Sequence, residues 1–144
     1  MGLWSFAMTS LLFTKLVNPP VRSPRVARPH LVARLRETRP VSVVIAPAGY
    51  GKTTLLTEWI DTAHPSVAWL SLDEGDNDPV RFWSYVVAAL DLRQAGLGET
   101  ARLLLAAPQP LSYAAVVSAL CNDILALPQA LTLVLDDYHV LDEP

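Results

Sequence analysis

The sequence has little of what a disulfide-bonded, membrane-bound or disordered protein requires. Cys121 is the single cysteine among 144 residues, so an intrachain disulfide framework is excluded and a reducing compartment fits. Charged residues make up only 17% against 51% hydrophobic residues, the reverse of a disordered chain. The longest uncharged run, Leu103–Asn122, contains Pro108 and Pro110, which a simple spanning helix would not. The first residues also lack the cations of a signal peptide. We therefore expect a folded cytoplasmic protein with no membrane partner.

Charge is divided unevenly along the chain. The net charge of −3 is the sum of +6 over residues 1–40 and −9 over residues 41–144. A basic arm could bind nucleic acid, but this one lacks the interleaved aromatic residues that stack on bases. Docking onto its own acidic domain, or near a bound phosphate, is the favoured interpretation. The sequence thus predicts an N-terminal arm over 1–40 and a domain over 41–144.

Apolar β-branched runs alternate with segments of helical periodicity. Strands are predicted over 41–45, 67–72 and 131–135, and the first is apolar enough to be covered on both faces. Helices are predicted over 31–39, 53–63, 79–92 and 99–106, and after a capping Ser112, with Val116, Val117, Leu120 and Ile124 facing inward. This alternation predicts an α/β fold with a parallel sheet flanked by helices.

The segment Ala46–Thr53 fits the phosphate-loop (Walker A) pattern, with alanine at the first glycine position. Glycines let backbone N–H groups surround phosphate oxygens, and the following helix directs its positive end at the same anion. The predicted phosphate-binding residues are Ala48, Gly49, Tyr50, Gly51 and Lys52. Thr53 offers a hydroxyl to Mg²⁺. The pattern predicts a nucleotide site of the P-loop NTPase fold.

Two carboxylates, Asp136 and Asp137, follow the last apolar strand. Ligands of open α/β sheets bind at the carboxyl ends of strands, where carboxylates can hold Mg²⁺ and polarise a water. Asp136 is therefore predicted as the Mg²⁺ ligand of a Walker B strand, and Asp137 as the catalytic residue that orients the attacking water. No Asn-Lys-x-Asp motif for guanine occurs, which favours adenine.

Five stretches in this order resemble the MalT-like family of large ATP-binding regulators of the LuxR type. They are Leu11–Leu16, Val26–Leu35, Ala46–Trp59, Ala68–Trp83 and Leu133–His139. The resemblance implies a STAND-class ATPase switch in a bacterial transcription regulator, which binds ATP or ADP with Mg²⁺ and self-associates. By the same resemblance, Thr54 joins Lys52 and Thr53 at the phosphates and Mg²⁺, and the arm around Arg28 closes over the adenine side.

Members of that family are much longer than this chain. We therefore expect these residues to be only the N-terminal nucleotide-binding part, truncated after the Walker B strand, with DNA binding confined to a C-terminal module outside this sequence. In this P-loop class a later strand separates the two motif-bearing strands, so we expect no competent ATPase from 144 residues alone. A small P-loop kinase, or a remnant that binds no nucleotide, remains an alternative.

Overall fold

The computed structural model of the protein describes residues 11–20, 26–37, 40–63, 65–108 and 112–142. The chain divides into two compact units. The α/β unit, as we name it, contains the described residues of 11–17 and 66–142, and the loop unit contains those of 18–65.

Two parallel strands, β1 (Val67–Ser71) and β2 (Thr132–Asp136), form the sheet of the α/β unit. Val67 is paired with Thr132 and Ser71 with Asp136, so both strands end at the same edge. The backbone N–H of Leu72 extends this pairing by donating to the Asp136 carbonyl at 3.0 Å. The predicted parallel sheet is confirmed in these two strands.

Helices account for most of the remaining described structure. The α-helices are α1 (Pro29–Leu35), α2 (Lys52–Ala63), α3 (Pro79–Asp91), α4 (Glu99–Leu105) and α5 (Tyr113–Leu125). Short 3-10 helices cover Phe13–Leu16, Glu74–Asn77 and Tyr138–Val140. Among the described residues, no helix combines the length and apolarity needed to cross a bilayer.

Side-chain caps set where α3 and α5 begin. Asp78 accepts a hydrogen bond from the Arg81 N–H at 2.7 Å, and Pro79 occupies the first helical position. Ser112 accepts from the Ala115 N–H at the start of α5. Both helix starts agree with the sequence, because a cap depends only on residues within one turn.

The core of the α/β unit lies between β1 and the helices that pack on it. β1 is buried over its first four residues, as expected for a strand covered on both faces. The fully buried large side chains of the unit include Trp69, Leu70, Tyr85, Val87 and Val116. Val117 and Ile124 of α5, predicted to face inward, are instead 37% and 42% exposed.

The predicted strand over 41–45 is wrong. Val41, Val43 and Ile45 are 75% or more exposed, and the segment is extended without strand pairing. β propensity forms a strand only where the backbone N–H and C=O groups find a partner. Within the described part of the chain, β1 and β2 pair only with each other. The predicted helix over 31–39 is observed as α1, and residues 38 and 39 lie outside the described residues.

Gly98, at the start of α4, gives a test of this packing. Its φ is +82°, and an added Cβ would lie 3.1 Å from both Leu120 and Val87. Gly96 has a similar φ of +86° but open space around it. Gly96→Ala should cost about 1–2 kcal/mol of unfolding free energy from backbone strain alone. Gly98→Ala should cost about 1–3 kcal/mol more because of overpacking. Urea unfolding measures both, and equal losses would contradict the close packing at Gly98.

Candidate functional site

The phosphate-loop segment has the backbone geometry that its sequence predicts. Gly49 and Gly51 have φ values of +80° and +77°, which side-chain-bearing residues rarely adopt. The Tyr50 N–H donates to the Pro47 carbonyl at 3.3 Å and closes the turn. α2 begins directly after it, at Lys52. A turn with two left-handed glycines at a helix N-terminus is a conformation that can surround an anion with N–H groups.

Lys52 lies over this loop. Its Nζ donates to the Ala46 carbonyl at 2.8 Å and to the Pro47 carbonyl at 3.3 Å. The ammonium is therefore held by neutral acceptors on the loop itself. An incoming phosphate could replace these carbonyls with charged acceptors, which form stronger hydrogen bonds.

Arg28 also contacts the loop. Its Nη1 donates to the Tyr50 carbonyl at 2.8 Å, while its backbone carbonyl accepts from Leu31 and Val32 at the start of α1. The structure thus places this guanidinium on the backbone of the phosphate loop. The adenine-side position implied by the family resemblance stays a prediction.

Asp136 and Asp137 end β2 in the α/β unit and differ in their surroundings. Asp136 is buried at 5% exposure, whereas Asp137 is exposed. Asp137 has a left-handed φ of 59°, the single positive φ among the described non-glycine residues. His139 Nδ1 lies 3.9 Å from Asp137 Oδ1. A strained backbone next to a buried carboxylate is a common feature of functional sites.

The acidic loop, Asp73–Asp78, holds a charge cluster that the sequence reasoning missed. Asp76 has a fully buried side chain, and two cations compensate it: Lys15 pairs with Oδ2, and Arg81 Nε donates to Oδ1 at 3.1 Å. Lys15 also contacts Asp73 Oδ2 at 2.9 Å and lies 4.3 Å from the centre of the Tyr85 ring. No local sequence pattern indicates that Lys15 is buried in this cluster, because it lies 58 residues from Asp73 and 61 residues from Asp76.

The cluster shifts the ionisation of two of its members. The hydrogen bond from Lys15 holds the pKa of Asp73 below its usual range, against a smaller opposing effect of burial. Burial alone would lower the pKa of Arg81, but its hydrogen bond to Asp76 and the two carboxylate charges outweigh this and raise it.

Comparison with known proteins identifies the family. A family model described as an AAA domain matches residues 34–144, more than half of the chain. The chain belongs to the AAA domain family. The predicted P-loop NTPase α/β fold is confirmed.

Two similar proteins are transcriptional regulators. The chain is 35% identical over 136 residues to the HTH-type transcriptional regulator MalT of Cronobacter sakazakii (strain ATCC BAA-894), a match over 93% of this chain. It is 38% identical over 133 residues, 91% of this chain, to the MalT regulator of Serratia proteamaculans (strain 568). The chain spans about 15% of the length of each relative. The resemblance to MalT-type regulators is confirmed.

The predicted site residues fall into two groups. Arg28 and the segment Ala48–Thr54 are brought together in the loop unit, and Asp136 and Asp137 are adjacent in the α/β unit. Their roles in binding and catalysis remain predictions.

The charge cluster predicts a pH dependence. Because the folded pKa of Asp73 is lowered, its stabilising contribution is complete above the unfolded value of about 3.9 and is lost as the pH falls through the folded pKa. Asp73→Asn keeps an acceptor for the Gly75 N–H but carries no charge. The variant should therefore lose less unfolding free energy than the parent between neutral and acidic pH.

Denaturant unfolding across this pH range provides the measurement. Asp142→Asn removes an exposed carboxylate outside the cluster and serves as the control. Identical pH profiles for the parent and Asp73→Asn would contradict the assigned ion pairing.

Proposed function

We propose that this AAA domain is the ATP- and ADP-binding segment of a STAND-type, Mg²⁺-dependent nucleotide switch in a bacterial transcription regulator. The observation that carries the proposal is the phosphate loop. Gly49 and Gly51 have left-handed φ, the α2 helix begins at the next residue, and Lys52 lies over the loop. This combination concentrates N–H dipoles and one cation where a triphosphate would bind.

Each loop residue has a proposed role. The backbone N–H groups of Ala48, Gly49, Tyr50 and Gly51 contact phosphate oxygens, and Lys52 supplies a point charge for the β- and γ-phosphates. Thr53 and Thr54, in the first turn of α2, offer hydroxyls to Mg²⁺ and phosphate. Arg28 supports the loop by donating a hydrogen bond to the Tyr50 carbonyl. This contact holds the arm beside the proposed nucleotide.

The acids complete the proposal. Asp136 is the proposed Mg²⁺ ligand, and Asp137 orients a water. Mg²⁺, when bound, supplies charge that neutralises the phosphates. The donor set fits this ion, because Mg²⁺ prefers carboxylate and hydroxyl oxygens together with phosphate and water.

The regulatory context is inferred from the relatives. Both are named HTH-type transcriptional regulators, so we propose that DNA is bound through a C-terminal module outside this sequence, and that the intact regulator self-associates in the cytoplasm. The charge of this chain supports that division, since residues 41–144 carry −9 and would repel a phosphate backbone.

Replacing Lys52 tests the phosphate loop. Lys52→Ala removes a charge-assisted contact to phosphate and should weaken ATP binding by about 1.5–3 kcal/mol, at least about tenfold in Kd. Arg93→Ala removes an exposed cation outside the loop and is the matched control. Titration with fluorescent ATP, with ADP and GTP as competitors, measures the effect.

Four outcomes would contradict the proposal. ATP affinity retained within about twofold in Lys52→Ala would exclude the loop as the site, since the lost contact is worth more than that. Equal binding of GTP would exclude an adenine-specific switch. Transfer of phosphate to an added metabolite would favour a kinase, and no nucleotide binding at all would favour a remnant.

Substitutions of the two acids should have different effects on the Mg²⁺ dependence of ATP binding. Asp136→Asn should lose most of the increase in ATP affinity that Mg²⁺ produces, because an amide is a weaker ligand than a carboxylate. Asp137→Asn should keep that increase, since orienting a water is a step after binding. ATP titration with Mg²⁺ and with a chelator gives both values, and the chelator series controls for misfolding. Equal losses would contradict the division of roles.

A further inference from the structure

The acidic loop is fixed by hydrogen bonds within itself. Asp73 Oδ1 accepts from the Gly75 N–H, and Asp76 Oδ2 accepts from the Asp73 N–H, each at 2.9 Å. Asp73 at the N-cap and Asp76 at the third helical position form a capping box at the start of the 3-10 helix Glu74–Asn77. Together with Lys15 and Arg81, it holds the loop in one conformation.

Asn77 extends from this fixed loop to the chain that follows β2. Its Nδ2 donates to the Val140 carbonyl at 3.3 Å, and its Oδ1 accepts from the Asp142 N–H at 2.7 Å. Nδ2 also donates to the Glu74 carbonyl of its own loop at 3.0 Å. One amide thus pairs with a carbonyl and an N–H two residues apart, as a neighbouring strand would. A primary amide can do this because it carries both donors and acceptors.

The segment that Asn77 holds is the continuation of the acid pair. The Val140 N–H donates to the Asp137 carbonyl at 3.0 Å and closes the turn Asp137–Val140. Asp137 has a left-handed backbone in this turn, a conformation that costs free energy for a residue with a Cβ. A strained conformation persists only where its surroundings determine it. The contacts of Asn77 with Val140 and Asp142 are such a determinant.

We propose that Asn77 is a positioning residue for the acid pair: it holds the turn Asp137–Val140, and thereby fixes the backbone that carries Asp136, the proposed Mg²⁺ ligand. The effect on nucleotide rests on the proposed function, whereas the effect on the turn does not. Neither flanking residue could replace Asn77, because Asp76 and Asp78 lack a side-chain donor for the Val140 carbonyl.

Amide hydrogen exchange tests whether Asn77 holds the turn. In Asn77→Ala the Asp142 N–H loses its acceptor and the Val140 N–H loses the support of its turn. Both should exchange about fivefold faster, since a lost hydrogen bond is worth about 1 kcal/mol. Asn77→Asp keeps an acceptor for Asp142 and should leave that amide more protected than in Asn77→Ala. The amides of Trp69 and Leu70 in β1 report on global unfolding, and Asn122→Ala, on the exposed surface of α5, is the matched control.

Mg²⁺-dependent ATP binding tests whether the turn positions the acids. Asn77→Ala should reduce the ratio of ATP affinities with and without Mg²⁺ by about threefold or more, and leave the affinity without Mg²⁺ within about twofold, because the phosphate loop is unchanged. Asn77→Asp should show a smaller reduction. This split distinguishes positioning from a general loss of stability, which would lower both affinities.

Two results would overturn the proposal. Unchanged exchange at Val140 and Asp142 in both variants would show that Asn77 does not hold the turn. Faster exchange with an unchanged Mg²⁺ ratio would show that the turn does not position the acids. If the parent protein itself shows no Mg²⁺-dependent ATP binding, the proposed function fails, and the exchange rates still decide the role of Asn77 in the turn.

Discussion

The buried carboxylate of Asp76 is the constraint on which much of the α/β unit depends. A charge without exposure to water costs several kcal/mol unless cations compensate it, and removing one partner leaves that cost in place. Lys15 and Arg81 come from opposite sides of the loop in sequence, one from the first described 3-10 helix and the other from the first turn of α3. Both must reach Asp76 at once. The loop therefore joins three segments that the hydrophobic core alone would leave less precisely placed.

The features that could be predicted from sequence are those that depend on nearby residues. The start of α3 follows from the adjacent Asp78 and Pro79, and the start of α5 follows from the cap Ser112. The phosphate loop belongs to the same class, because glycine spacing and the following helix determine its backbone. In each case one short window contains the whole physical cause.

The features that sequence reasoning missed depend on partners far away in the chain. Lys15 appears in the sequence as an ordinary basic residue of the arm, yet its ammonium is buried against Asp76. Asn77 and Asp142 are 65 residues apart, so no local pattern relates them. The wrong prediction of a strand at Val41–Ile45 also concerns a distant partner, in this case one that is absent from the described structure. The apolar β-branched run expresses a preference for strand, but a strand also requires a partner, which propensity does not describe.

This difference between local and distant causes separates the phosphate loop from the acid-bearing turn. The loop is preorganised by its own glycines, by α2 and by Lys52, so its geometry needs little from the rest of the protein. The turn that carries Asp137 has one internal hydrogen bond, from the Val140 N–H to the Asp137 carbonyl. Its strained backbone is also held by Asn77, whose loop depends on Asp76 and the two cations. Substitutions near Lys15 or Arg81 therefore have a physical route to the turn that carries the acids: they disturb the acidic loop, and with it the contacts that Asn77 makes to Val140 and Asp142.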